Sequence, residues 1–331
     1  MLDIGAQGAI ASIGFDDHAP NQPGFGEALI EGLSGPYKAI PCRFLYDAHG
    51  SALFDQICGL EEYYPTRTEV GILSRHAPDI ARRAGPGAQL IELGGASSLK
   101  AKILLDALER PGAYVPIDIS REHLLAAVQR LHWERPDLAI HGVCADYAQP
   151  FDLPVTGAPG RRLGFFPGST IGNLQPHEAG AFLADWARRL GPDAAMVVGV
   201  DLRKSTEVLE RAYDDAQGVT AAFSKNVLAR ANRDLGADFD LDRFAHRARY
   251  DAERGRVEIH LESLADQTAH VLGADIALAR GERIHIEDSC KYSLAGFADL
   301  ARASGFEPQA VWTDPDQLFS VHYLATACRA H

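Results

Sequence analysis

Between Gly85 and Asp201 the apolar residues fall in short runs separated by stretches of helical spacing. AQLIELGG is a run ending in glycines, SLKAKILLDALER repeats its apolar positions every three or four residues, and AYVPIDIS is a second run ending in an acid. The alternation continues with REHLLAAVQRLHWERP as a helix, LAIHGVCADY and RRLGFFPGS as strands, HEAGAFLADWARRLGP as a helix and AAMVVGVDL as a buried strand. Strands that read as near-continuous apolar runs are covered on both faces. The rhythm therefore predicts an α/β fold with a doubly wound parallel sheet.

After Asp201 the rhythm breaks. STEVLERAYDDAQGVTAAFSKNVLARANRDLG reads as a helical stretch. RFAHRARYDAERGRVEIHLESLADQTAHV holds two alternating runs around a turn at Glu253-Arg254-Gly255, the pattern of a hairpin or meander. This segment is expected to be an insertion that covers the sheet. The chain then returns to type: CKYSLAGFADLARASGFEP is helical, and AVWTDPDQLFSVHYLATAC reads as two strands about a polar turn, closing the sheet antiparallel. The first thirty-odd residues, rich in Gly, Pro and Asp, show no period and read as a loosely packed arm; helical signals begin near Ser51.

Composition narrows the class. A chain of 331 residues, 46% hydrophobic and 23% charged, can bury a substantial core. No apolar run approaches the roughly 20 residues that span a bilayer. The N-terminus lacks the basic and apolar regions of a secretory signal, so a cytoplasmic protein without membrane association is expected. Cys42, Cys58, Cys144, Cys290 and Cys328 are scattered without a C-x-x-C pair, which suits free thiols. A formal charge of -13 with no clustered Lys and Arg argues against a nucleic-acid partner.

In doubly wound sheets, ligands bind at the carboxyl ends of the strands, where glycines let the backbone approach and helix N-termini offer N–H groups. Glu92-Leu93-Gly94-Gly95-Ala96-Ser97-Ser98 occupies that place after the first strand of the rhythm. It is not the G-x-G-x-x-G string that serves a pyrophosphate, so a phosphate-free ligand such as S-adenosylmethionine fits at least as well as NAD. Asp118 ends the second strand, where a carboxylate can accept both ribose hydroxyls, and Asp146 ends the third, within reach of an adenine amino group. Each acid alone could equally be a helix cap or a solvated loop residue. Gly94, Gly95, Ser97, Lys100, Asp118 and Asp146 form the candidate cofactor set.

Four longer strings carry a resemblance: FLYDAHGSALFDQICGLEEYYPTRTE, FFPGSTIGNL, AYDDAQGVTAAFSKNVL and IEDSCKY. In this order they resemble the histidine-specific N-α-methyltransferases of the ergothioneine pathway, from about Pro41 to the C-terminus. The resemblance implies a Rossmann-like methyltransferase sheet capped by a substrate-binding α+β domain. The division is then 1–66 as arm and part of the substrate domain, 67–203 as the methyltransferase domain, 204–290 as the inserted lid, and 291–331 as the last part of the methyltransferase domain. It implies S-adenosylmethionine as cofactor and histidine as acceptor, carried as far as trimethylhistidine (hercynine); separately, a monomer is expected. Carried over by motif, Tyr63 and Tyr213 would hold the substrate carboxylate, and Asn173 would contact amine and carboxylate. Tyr46 would lie near the amine, and Glu287 and Ser289 would hold the imidazole. The catalytic set is Asn173, Tyr46 and Tyr213. The first glycine loop, GGASSLK, departs from the family's more usual G-S-G-T-S-like string.

The chemistry of these residues agrees. Methyl transfer from a sulfonium needs a neutral amine lone pair aligned behind the methyl, so the site must position more than activate. An Asn carbonyl and a Tyr hydroxyl accept N–H bonds and aim that lone pair. Weak polar contacts, and no buried carboxylate against the nitrogen, are expected. In RIHIEDS, Ile284 and Ile286 alternate with His285, Glu287 and Ser289, so a strand places Glu287 and Ser289 on one face. A carboxylate and a hydroxyl match an imidazole with one donor and one acceptor nitrogen. His285 beside Glu287 lacks a third ligand at a recognisable spacing, so no metal site is expected. Two readings stand beside the histidine enzyme: a methyltransferase for another amino acid or amine, and a nucleotide-binding sensor without turnover. The missing fingerprint disfavours a nicotinamide-dependent oxidoreductase.

Overall fold

The computed structural model describes residues 13–18, 24–95 and 99–327. The chain opens with β1 (Ile13–Asp17), α1 (Phe25–Ser34), the short β2 (Lys38–Ala39), α2 (Ala48–Gly59) and the long α3 (Tyr64–Ala84). The alternating part follows as β3 (Gln89–Leu93), α4 (Leu99–Ala107), β4 (Ala113–Asp118), α5 (Arg121–Glu134), β5 (Ile140–Cys144), β6 (Arg162–Phe166), α6 (Pro176–Leu190) and β7 (Ala195–Asp201). Next come α7 (Thr206–Tyr213), α8 (Val219–Leu235), β8 (Phe244–Asp251), β9 (Arg256–Ser263), β10 (Gln267–Val271), β11 (Ala274–Leu278) and β12 (Arg283–Cys290). The chain closes with α9 (Leu294–Ala303), β13 (Phe306–Thr313) and β14 (Phe319–Thr326).

Eight strands form one sheet in the order β1-β5-β4-β3-β6-β7-β14-β13. From β1 to β7 every pairing is parallel, and β14 runs antiparallel to both β7 and β13, the expected closing strand. β3 is buried along its whole length and β7 likewise, because helices cover both faces. Two apolar clusters fill the two sides of this sheet, one around Leu90, Phe165 and Tyr323, the other around Ile91, Phe166 and Trp186. A third cluster lies apart from them. It joins Leu29 and Leu33 of α1, Leu53 and Ile57 of α2, Leu209 of α7 and Val227 of α8 to Val257, Ile259 and Ile284. These last residues belong to a four-stranded sheet ordered β2-β12-β9-β8.

The loosely packed arm is corrected. Ile13–Asp17 is an edge strand paired in parallel with β5, and α1 buries Ala28 and packs Leu29 and Leu33 into the third cluster. Both elements draw their stability from non-local packing, which a short sequence window does not display. The helical stretch after Asp201 is two helices. Asp215 breaks it by accepting the amides of Val219 (3.0 Å) and Thr220 (2.7 Å), and Gly218 takes φ 74 just before α8. The hairpin around Glu253-Arg254-Gly255 forms as expected, with β8 and β9 in antiparallel register.

Candidate active site

Strand order reverses between β3 and β6, so the loops leaving their carboxyl ends open a crevice. Gly94 (φ 80) and Gly95 follow β3, and both amides donate to the Ile117 carbonyl, at 2.9 and 3.1 Å. A Cβ on Gly95 would stand 2.6 Å from Pro116 Cβ, so only glycine fits there. These glycines supply room for a close approach of the backbone. Ser97 lies outside the described residues. Asp118, at the end of β4, accepts the Ser120 amide (2.8 Å), and Asp146, just past β5, accepts that of Ala148 (2.9 Å). Glu92 is 1% exposed; one carboxyl oxygen takes the Tyr114 hydroxyl, and Oε1 has no hydrogen-bond partner among the described residues. Burial pushes this carboxyl up to about 8. Carboxyl groups thus stand at or just past the ends of three neighbouring strands, β3, β4 and β5.

Lys100, at the start of α4, pairs with Glu69 of α3 at 2.6 Å. Glu69 is fully buried, and its oxygens also accept the Gly168 amide at 3.0 and 2.9 Å. The glycine at 199 leaves the space, since a Cβ there would meet Glu69 Oε1 at 2.0 Å. Glu69 therefore clamps the loop after β6 to the helix that follows the glycine turn. Its acidic character on a helix gave no sequence signal for this role.

The loop after β6 places Asn173. Gly168 (φ 81) and Ser169 (φ 57) turn the chain sharply into one 3-10 turn, Thr170–Asn173. Gly172 packs so closely on β12 that a Cβ would lie 2.8 Å from the Cys290 carbonyl. Asn173 Nδ2 consequently donates to Glu287 Oε1 at 2.7 Å. Burial pushes the Glu287 carboxyl up to about 7, against the opposing pull of Lys291.

β12 carries a bulge between His285 and Glu287. Ile284 pairs with Leu261, but Glu287 pairs with Ile259 and Ser289 with Val257, all three partners being buried. The extra residue turns Glu287 and Ser289 onto the inward face and leaves His285 on the other, where its ring meets Asp288 at 3.0 Å. Glu287 and Ser289 share a face as expected; that His285 shares it too is corrected.

Tyr213 ends α7, and His246 donates Nε2–H to its carbonyl at 2.8 Å, burial keeping that imidazole neutral. The Tyr213 hydroxyl meets Ser289 Oγ at 2.9 Å. Lys291 Nζ donates to both, at 2.7 Å each, and pairs with Asp201 at 2.7 Å. Asp201 also accepts Tyr64 Oη (2.8 and 2.9 Å) and Lys204 Nζ (2.6 Å), and its amide donates to Ser169 Oγ (2.9 Å). Burial opposes the charge of Asp201, but the two lysines hold its carboxyl below the usual range; burial likewise lowers Lys204 to about 8. No motif singles out Asp201, Lys204 or Lys291 as functional. The signal was there: Asp201 ends an apolar run, as Asp118 does.

Aromatic rings close the cluster. Tyr63 lies edge-on to Tyr213 with centroids 6.0 Å apart, and Phe54 stands between Tyr63 (6.3 Å) and Tyr46 (5.6 Å). Asp47, beside Tyr46, accepts Gly50 N (2.7 Å) and Asn226 Nδ2 (2.8 Å), so it caps α2 and ties it to α8. Tyr46, Tyr63, Asn173, Tyr213, Glu287 and Ser289 thus belong to one connected region. Within it the Glu287 carboxylate sits directly on the Asn173 side-chain amide.

A family model described as "Histidine-specific methyltransferase, SAM-dependent" matches residues 25–326. The chain is 43% identical over 291 residues to the "Histidine N-alpha-methyltransferase" of Mycolicibacterium smegmatis, covering 86% of this chain and 89% of that one. It is 39% identical to the protein of the same name from Mycobacterium tuberculosis, with 86% and 90% covered. It is 32% identical over 308 residues to "Ergothioneine biosynthesis protein 1" of Neurospora crassa, covering 90% of this chain and 34% of that protein.

Proposed function

We propose, starting from a chain that belongs to the SAM-dependent histidine-specific methyltransferases, that it methylates the α-amine of L-histidine, up to trimethylhistidine (hercynine). S-adenosylmethionine supplies an electrophilic methyl. Glu92, Gly94, Gly95, Ser97, Lys100, Asp118 and Asp146 are the residues that would hold it. The observation that carries the histidine reading is the Asn173–Glu287 contact at 2.7 Å beside the Tyr213–Ser289 pair.

The Asn173 amide donates to Glu287 through Nδ2, which leaves its carbonyl as the acceptor for an amine N–H and aims the lone pair at the methyl. Tyr46 supports the amine from the aromatic side. Tyr63 and Tyr213, whose phenols burial keeps protonated, donate to the substrate carboxylate. Glu287 accepts one imidazole N–H, and Ser289 meets the other ring nitrogen. A site built to hydrogen-bond both ring nitrogens rejects apolar amino acids more strongly than a hydrophobic slot does.

The second reading, another amino acid or amine as acceptor, is separated by Glu287→Asn with Ser289→Ala. Loss of a hydrogen bond to a charged group costs about 1.5–3 kcal/mol, so KM for histidine should rise roughly 10- to 100-fold. Unchanged kinetics would assign the acceptor elsewhere. A sensor without turnover would bind S-adenosylmethionine and methylate no amine.

The substrate is a small molecule. We propose a monomer acting in the cytoplasm without nucleic acid; among the described residues no helix is long and apolar enough to cross a membrane. The proposed division is 1–66 with 204–290 as the substrate-binding part, and 67–203 with 291–331 as the methyltransferase part. The third apolar cluster supports it, while β1, within 1–66, pairs with the large sheet.

A further inference from the structure

Lys291 is 2% exposed, its side chain fully buried, and it stands behind two of the proposed substrate contacts. A protonated lysine has three N–H donors and no acceptor. Here the three go to Asp201 Oδ2, Tyr213 Oη and Ser289 Oγ, each at 2.7 Å. No donor is left over. Both hydroxyls must therefore receive a hydrogen from Lys291, and neither can turn its own proton toward the ammonium.

Resting on the histidine reading of the site, we propose that Lys291 is a positioning residue that sets the direction of the Tyr213 and Ser289 hydroxyl protons. In the free chain one of those protons occupies the 2.9 Å contact between the two oxygens. With histidine bound, both turn to the substrate, the Tyr213 proton to its carboxylate and the Ser289 proton to the unprotonated ring nitrogen, while Lys291 still donates to both oxygens. Asp201 makes the arrangement permanent. With Lys204 and Tyr64 also on Asp201, the cluster is anchored to β7, and its two lysines outnumber its one carboxylate beside the place where the substrate carboxylate binds. Burial resists the charge on Lys291, but Asp201 and Tyr213 hold its pKa above the ordinary lysine value, so the ammonium persists across the working pH range.

Lys291→Met tests this, because it removes the donors while Lys204 and Tyr64 still satisfy Asp201. KM for histidine should rise about 10- to 100-fold, the cost of misdirected hydrogen bonds to a charged substrate. Affinity for S-adenosylhomocysteine should stay within about twofold, since no cofactor contact is touched. The effect should be non-additive with Ser289→Ala: the double variant should be no worse than the worse single one, as expected for residues acting as a unit. Multiplying effects, an unchanged histidine KM, or an equal loss of cofactor affinity would each overturn the inference. A measurement on the unaltered enzyme is independent of folding in the variant. In protein labelled with 15N-lysine, a slowly exchanging ammonium resonance should shift when histidine is added to the S-adenosylhomocysteine complex, and its indifference to histidine would overturn the proposal. Failure of the wild type to methylate histidine would overturn the site reading and this inference together, whereas turnover with an unaffected Lys291→Met KM overturns this inference alone.

Discussion

Asn173 and Glu287, 114 residues apart in the chain, meet through a 2.7 Å hydrogen bond that joins the loop after β6 to the bulged strand β12. One bond thus connects the group proposed to aim the amine with the group proposed to hold the ring. Its strength depends on the charge of Glu287, and that charge changes near neutral pH.

Burial raises the Glu287 pKa from 4.5 to about 7 in the folded chain. A carboxyl raised in this way contributes stability that is fully present below about pH 4.5 and is lost as pH rises through about 7. Glu287→Gln lacks the titration, so its melting temperature relative to wild type should increase between those values and level off above them. A difference independent of pH would contradict the assignment. The same ionisation creates the acceptor for the imidazole N–H. Wild-type kcat/KM for histidine should therefore rise through about pH 7 by more than that of Glu287→Gln, as pH-rate profiles of the two would show.

Asp201→Asn should be severe. It leaves Lys204 and Lys291 buried without their shared counter-charge, and breaking a buried pair costs about 3–5 kcal/mol. For a chain of this size that corresponds to roughly 4–7 °C in melting temperature. Calorimetry showing an unchanged midpoint would mean the network is not a structural anchor.

Gly199→Ala should act through Glu69. The new methyl would overlap Oε1, and overpacking of this kind costs about 1–3 kcal/mol. Displacing Glu69 should also release Lys100 and the Gly168 amide, weakening cofactor binding. Adding Glu69→Ala should recover part of the stability without recovering the cofactor affinity. Thermal melts and calorimetric titration separate the two effects.

Gly95→Ala should weaken S-adenosylmethionine binding about tenfold, roughly 1.4 kcal/mol, by pushing the turn off Pro116. Histidine affinity, read in the presence of saturating cofactor, should change little. Equal losses for both ligands would place the turn in general folding.

The parallel sheet was legible because its strands are short apolar runs such as AMVVGVD and its helices repeat at helical spacing. α1 escaped notice: FGEALIEGLS is only ten residues, with glycines inside and no side-chain cap at its start. β1 owes its existence to β5, more than a hundred residues away. The bulge at β12 is one extra residue in a strand, and one residue decides which face every later side chain takes. Tyr63, Asn173, Tyr213, Glu287 and Ser289 are proposed through motif resemblance. The supports behind them, Glu69, Asp201, Lys204 and Lys291, act through contacts between distant elements, which periodicity does not register.

Mass spectrometry of one reaction holding the purified protein, S-adenosylmethionine and an equimolar mixture of the twenty amino acids identifies the acceptor. Histidine alone should gain methyl groups, with the trimethylated form as end product. Methylation of a different amino acid, or of none, would contradict the histidine reading.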